Sequence, residues 1–191
     1  MESYLNKKYI DITNLIQNEF ERNVSKYGDK IKCRKGCSKC CSQIFKITFV
    51  DSFVIKKYMN SLSIEERNYL KEKAKKYLGE INSELFKNED FFSKPKLPCP
   101  ALNENGECMI YEARPVICRR FGPPIYDYKN PVKIFACDLN FEEGEEIVDT
   151  ELIPNQTFIG KEWDKLKTEF NTLSDVSENA STTIAEAIYD A

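Results

Sequence analysis

The sequence predicts a mainly α-helical fold, with a small α+β arrangement as the variant, in which a helical core carries an irregular cysteine-rich segment of short strands and turns. Three observations carry that prediction. Apolar residues recur at helical spacing in several long stretches; Pro, Gly and Asn punctuate residues 91–124; and the cysteines gather in one short loop and in the region that punctuation marks.

Residues 10–27 place Ile12, Leu15, Ile16, Phe20, Val24 and Tyr27 on one helical stripe, which should end near Gly28. Ile44–Phe49 alternates apolar and polar and reads as briefly extended, with Thr48 as cap of a helix over 49–61. Ser63 and Glu66 match a capping box for a further helix to about Lys87, through Leu70, Ala74, Leu78, Ile81 and Leu85. These two helices are expected to form a hairpin that supplies most of the core. Residues 91–100 read as a loop, and Asn103–Gly106 as a tight turn between short extended pieces bearing Cys99 and Cys108. Pro115 should open a short helix holding Cys118, Arg119 and Arg120, stopped by Gly122, Pro123 and Pro124. The acidic run 142–151 reads as a solvated face, since its carboxylates lack the alternate spacing of a calcium loop. A helix over 160–173 follows (Trp163, Leu166, Phe170, Leu173), and residues from Ser177 either add a terminal helix or fray.

A chain of 191 residues is expected to be one domain, 1–191, with a motif region at 30–140 and a helical extension at 145–191. The net charge of −3 gives no reason to expect nucleic acid as a partner, so positive surface must be local. The charged first residues lack the apolar core of a secretory signal, and nowhere do about 18 apolar residues run together. A cytoplasmic protein without a membrane span is therefore the expectation. In a reducing cytosol eight cysteines point first to metal and only then to disulfides. The absence of histidine removes imidazole as ligand or general base, and with it every Ser-His or Cys-His pair.

The candidate ligands are Cys33, Cys37, Cys40, Cys41, Cys99, Cys108, Cys118 and Cys137. Cys33-x3-Cys37-x2-Cys40 crowds three thiols into eight residues, which suits an iron–sulfur cubane needing a ligand at each iron. A zinc ribbon more often takes two ligands from each of two separated knuckles. Cys41 is expected to point away from Cys40, and so to bind a second metal or pack as a buried thiol. The same spacing opens the cluster loop of radical S-adenosylmethionine enzymes. Lys39 stands where those enzymes favour an aromatic residue, however, and no alternation of strand and helix builds their barrel. Lys30, Lys32, Arg34, Lys35 and Lys39 crowd the first loop, and Arg114, Arg119 and Arg120 flank Cys118. Four thiolates on zinc or on a doubly charged cubane leave about two negative charges, which such cations offset. Arg114 and Arg119 are thus expected to support the ligands, while recognition of an anion by part of this patch stays open.

Cys33-x3-Cys37-x2-Cys40-Cys41, Cys99-Pro100-x-Leu102, Gly106-x-Cys108-x-Ile110-Tyr111-x-x-Arg114-Pro115-x-x-Cys118-Arg119-x-Phe121 and Cys137 together resemble the YkgJ-type cysteine-cluster family of zinc- or iron-chelating domains. The resemblance spans about residues 30–140 and all eight cysteines, and implies a metal ion or cluster as cofactor. A related pattern occurs in flagellin lysine-N-methylase, whose methyl transfer involves an iron–sulfur cluster. That similarity implies a 4Fe-4S cluster ahead of zinc here. The enzyme is much longer, and no region of this chain can be assigned to S-adenosylmethionine or flagellin, so the activity does not carry over. Three functions stay open: a metal-binding protein with a structural or sensing centre, a small iron–sulfur enzyme of redox or methyl transfer, and a carrier of zinc or iron.

Overall fold

Helix α1 spans Glu2–Tyr27 and begins earlier than the expected stripe, because Leu5 and Tyr9 prolong its buried face toward the N-terminus. That face continues through Ile12 and Ile16 to Glu19 and Asn23, so Val24 turns out to be exposed. The spacing of four and three residues decides this, since position 24 is rotated about 100° away from position 23. Glu19 is tolerated inside because Arg22 donates to it at 2.7 and 2.8 Å and Asn155 at 2.9 Å.

The computed structural model describes residues 2–34, 36–81, 97–131 and 134–191. Two compact units divide the chain: residues 1–35 with 116–178, and residues 36–115 with 179–191. Among the described residues the fold is mainly α, with two small antiparallel two-stranded sheets.

In the first unit, α1 packs against α4 (Val116–Arg120) and α5 (Leu152–Leu173). A hairpin of β2 (Ile125–Tyr126) and β3 (Ile134–Phe135) pairs Ile125 with Phe135 and Tyr126 with Ile134, and β2 lies on α5. Ile159, Trp163, Leu166 and Phe170 fill the seam, and Tyr9 meets Trp163 edge-on at 6.1 Å. Helix α5 starts well before residue 160. Pro154 falls in its first turn, where a missing N–H costs no helical hydrogen bond. Gly160, which resembles a breaker, is instead a contact: a Cβ there would come within 2.8 Å of the Tyr128 ring. The acidic run is only partly a solvated face. The Asp149 side chain is only 1% exposed, and it takes Arg22 at 2.8 Å and the Tyr27 hydroxyl at 3.1 Å.

In the second unit, β1 (Lys46–Ile47) leads through Thr48 into α2 (Phe49–Met59). Thr48 and Asp51 close a capping box, as Ser63 and Glu66 do at the start of α3 (Ile64–Ile81). The expected extension of α3 to residue 87 lies outside the described residues. The expected core hairpin is replaced by a different arrangement, because α2 and α3 each pack mainly on α6 (Ile184–Tyr189) rather than on each other. The small Ala185 and Ala187 let both helices approach, and Ala187 and Ile188 are fully buried, so the C-terminal segment is core and does not fray. Thr183 and Glu186 cap α6, and β4 (Thr182–Thr183) pairs with β1 through Lys46–Thr183 and Ile47–Thr182.

Candidate metal centre

The sulfurs fall into two sets, one in each unit. Cys37, Cys40, Cys41, Cys99 and Cys108 belong to the second unit, and Cys33, Cys118 and Cys137 to the first. No disulfide links them.

In the second unit, a 3-10 turn over Lys39–Ser42 carries Cys40 and Cys41. Contrary to the expectation that Cys41 points away from Cys40, the Cys41 side chain is near enough to be the largest cause of the rise of the Cys40 thiol. The Cys99 N–H donates to the Cys41 carbonyl at 2.7 Å, which ties this turn to the second cysteine-bearing stretch. There Asn103 Oδ1 accepts from the Asn105 and Glu107 N–H groups at 2.9 and 2.8 Å, making the expected turn, and Leu102 bridges to Cys108. Gly106 at its tip faces Ser38 of the first loop, where a Cβ would lie 3.7 Å from the hydroxyl.

These thiols act on one another. The bond to Cys41, then burial, pushes the Cys40 thiol far above its ordinary range, and the Arg114 charge pulls the other way. Burial pushes the Cys99 thiol up to about 11, Cys108 and Cys40 add to the rise, and Lys73 opposes it. Arg114 is itself fixed by stacking at 3.8 Å on the Tyr111 ring.

Lys73 and Tyr77 of α3 are contributors that sequence reasoning missed. Lys73 donates to the Leu102 carbonyl and stands beside Cys99, its own pKa lowered by burial. Burial, helped by Cys99, pushes the Tyr77 hydroxyl up to about 12. A lysine on a highly charged helix carries no signal in sequence. The buried face through Leu70, Ala74 and Tyr77 could have hinted at the tyrosine alone.

In the first unit, Asn140 is the organiser. Its Oδ1 accepts from the Lys32 N–H at 2.8 Å, and its Nδ2 donates to the Gly122 carbonyl at 2.7 Å and to Cys33 Sγ at 3.4 Å. The Cys137 N–H also donates to Gly122 O, at 2.9 Å. Gly122 has φ +126°, and a Cβ there would meet Cys33 Sγ at 2.4 Å, so the absent side chain makes room for the sulfur. Burial, then Asp138, raises the Cys137 thiol, and Cys33 adds to that rise. Cys118 sits on α4, just ahead of Gly122. Arg119 lines a small polar recess with Glu19, Asn23 and Gln156. Lys30 of the basic cluster is used structurally, paired with Glu145 and placed over the Phe141 ring.

The donor set fits a thiophilic metal. Crowded thiols disfavour ionisation of their neighbours, and two cations stand ready to offset thiolate charge, which is the chemistry a bound metal uses. Among the described residues, no three Cys, Asp or Glu side chains lie close enough to hold one ion as they stand.

A family model described as "Putative zinc- or iron-chelating domain", named for its CxxCxxCC motif, matches residues 32–134. The chain belongs to this cysteine-cluster family, and what that membership supports is metal binding, with zinc or iron. Here the first interval of the motif holds three residues, not two, between Cys33 and Cys37. No curated protein and no solved structure matches the chain. Among the described residues no helix is long and apolar enough to cross a membrane.

Proposed function

We infer that this chain is a cysteine-ligated metal protein whose centre is an iron–sulfur cluster, with zinc as the alternative. One observation carries the reading: within one unit the Cys99 N–H donates to the Cys41 carbonyl, and Cys40 feels Cys41 while Cys99 feels Cys40 and Cys108, with Lys73 and Arg114 acting on the same thiols. Four thiols satisfy either a zinc ion or a cubane. The cluster is favoured by the dense first loop, where Cys37 stands three residues before Cys40. Cys33, Cys118 and Cys137 complete the proposed ligand set, and residues 1–191 act as one functional domain. When bound, such a cluster supplies reversible electron transfer or Lewis acidity at iron. The protein's own part is to hold sulfurs in shaped turns, offset their charge through Lys73, Arg114 and Arg119, and limit water at Cys99.

Anaerobic purification with metal and acid-labile sulfide analysis tests this. Iron with sulfide and a broad visible charge-transfer absorption is expected, and should be largely lost in a Cys99→Ser/Cys108→Ser double variant. Zinc without visible absorption supports the alternative; neither metal in the anaerobic protein would overturn the reading. A carrier that hands on zinc or iron is the second reading, favoured by the partial exposure of Cys33, Cys37, Cys40, Cys41, Cys108 and Cys118 as residues. Rapid transfer of metal to a competing chelator, compared with a structural zinc site, distinguishes it.

A further inference from the structure

The first unit contains a cleft of about 410 Å³ between the β2–β3 hairpin and α5, walled by Phe121, Tyr126, Tyr128, Phe135 and Trp163. Pockets of this size take a small organic molecule rather than an ion. The walls are unusual for solvent-facing surface. Phe135 is 48% exposed at the rim, and Gly160 is what lets the Tyr128 ring lie flat against α5.

Arg120 of α4 also lines the cleft. Among the described residues no carboxylate lies within ion-pair distance of it, although most of the side chain is sequestered. Its Nη2 donates to the Tyr126 carbonyl at 3.3 Å and to Gln156 Oε1 at 2.7 Å, both neutral. Among the described residues its Nε is buried without a partner and its Nη1 makes no hydrogen bond to protein. A guanidinium held by neutral acceptors keeps its full positive charge available.

The two carboxylates at the cleft are already engaged. Asp164 takes Lys129 at 2.5 Å, Lys167 at 3.4 Å and the Tyr128 hydroxyl. Asp127 Oδ1 accepts the Lys129 N–H at 3.0 Å and so caps its own turn. Lys129 balances Asp164, and the charges left at the cleft are Arg120 and Asp127; Asp127 is exposed to solvent, whereas Arg120 is the less exposed of the two and lies beside the aromatic walls.

We propose that this cleft is a binding site for a small monocarboxylate with a flat, aromatic body, its carboxylate on Nη1 of Arg120 and its ring between Phe135, Tyr126 and Trp163. A doubly charged phosphate fits less well, because Asp127 and Asp164 stand nearby. An amine is disfavoured beside Arg120. None of these groups is a cysteine, so the site stands or falls independently of the metal reading.

Trp163 is the sole tryptophan in the chain and reports on the cleft directly through its fluorescence. Full-length protein as purified should be titrated with 3-phenylpropionate, 1-naphthoate and indole-free two-ring acetates, each beside its primary amide and matching amine. At least one carboxylate should change the Trp163 emission saturably and bind about tenfold or more tightly than its amide, the scale of one charged hydrogen bond. The amine should bind more weakly still. Arg120→Gln should remove the preference for carboxylate over amide, whereas Phe135→Ala, at an exposed position, should weaken both alike. Absence of saturable binding by all the carboxylates, equal affinity for acid and amide, or tighter binding of the amine would each overturn the proposal.

Discussion

Single side chains decide how each cysteine is presented. Gly122 combines a left-handed φ with a Cβ position 2.4 Å from Cys33 Sγ, so Gly122→Ala must either move the sulfur or strain the backbone. A loss of about 1–3 kcal/mol is expected from such a conformational penalty, together with faster alkylation of Cys33. An unchanged denaturation midpoint and unchanged Cys33 reactivity would show that the close approach is unimportant. Lys73 offers a contrast, since its effect is electrostatic. Lys73→Met keeps the aliphatic stem and removes the cation beside Cys99, so the fold should persist while metal affinity drops roughly tenfold or more, the usual weight of a group supporting a ligand. Competition with a chromophoric chelator measures this, and equal affinity of variant and parent would remove Lys73 from the site. Of these residues only the cysteines were legible in sequence. Gly122 read simply as a helix stop, and Asn140 gave no signal because an amide is not a soft ligand.

Elements were legible where a local rule fixes them and illegible where tertiary packing does. The Thr48 and Ser63 caps follow from hydrogen-bonding patterns a few residues long, and both occur where the pattern puts them. Helix α5 begins at Leu152, ahead of the expected residue 160, and Gly160 inside it is a packing device against Tyr128. The position of α6 depends on contacts with α2 and α3, far away in sequence, that no local pattern contains. The acidic run 142–151 shows the same limit: its composition says surface, yet Asp149 is pinned to α1. Burial opposes ionisation of Asp149, but hydrogen bonds from Arg22, the Glu151 N–H and Tyr27 outweigh it and hold the carboxyl below its ordinary value. Its folded value being lower than its unfolded one, this group stabilises the fold above the ordinary carboxylate range, and the contribution disappears as pH falls through the folded value. Asp149→Asn should therefore cost about 3 kcal/mol at pH 7, the scale for leaving one partner of a buried pair alone, and progressively less toward pH 3. Urea midpoints at both pH values test it; an equal cost at both would mean that packing, not charge, anchors the segment.

At the scale of the whole chain, the mainly helical fold was legible because stripes and caps are local, whereas the grouping of the cysteines was not, because spacing alone cannot say which sulfurs share a unit. The boundary between units falls within the first loop, between positions 35 and 36, so a run that reads as one motif contributes Cys33 to one unit and Cys37, Cys40 and Cys41 to the other. Each unit has an apolar core of its own: Ile12, Ile16, Trp163 and Leu166 in the first, and Ile55, Leu70, Ala187 and Ile188 in the second. The cysteine-bearing loops, in contrast, are shaped mainly by turns and hydrogen bonds such as those of Asn103 and Asn140. Metal binding should accordingly supply part of the folding free energy of residues 30–42 and 97–140, while the helical core, with its own buried stripes, persists without it. Removing metal with a strong chelator under reducing conditions should leave most of the far-ultraviolet helical signal, yet make those loops protease-sensitive and their thiols freely titratable. Equal protease resistance and equal thiol reactivity before and after chelation would mean that the loops are held by protein contacts alone, and the thiols would then be packing groups rather than ligands.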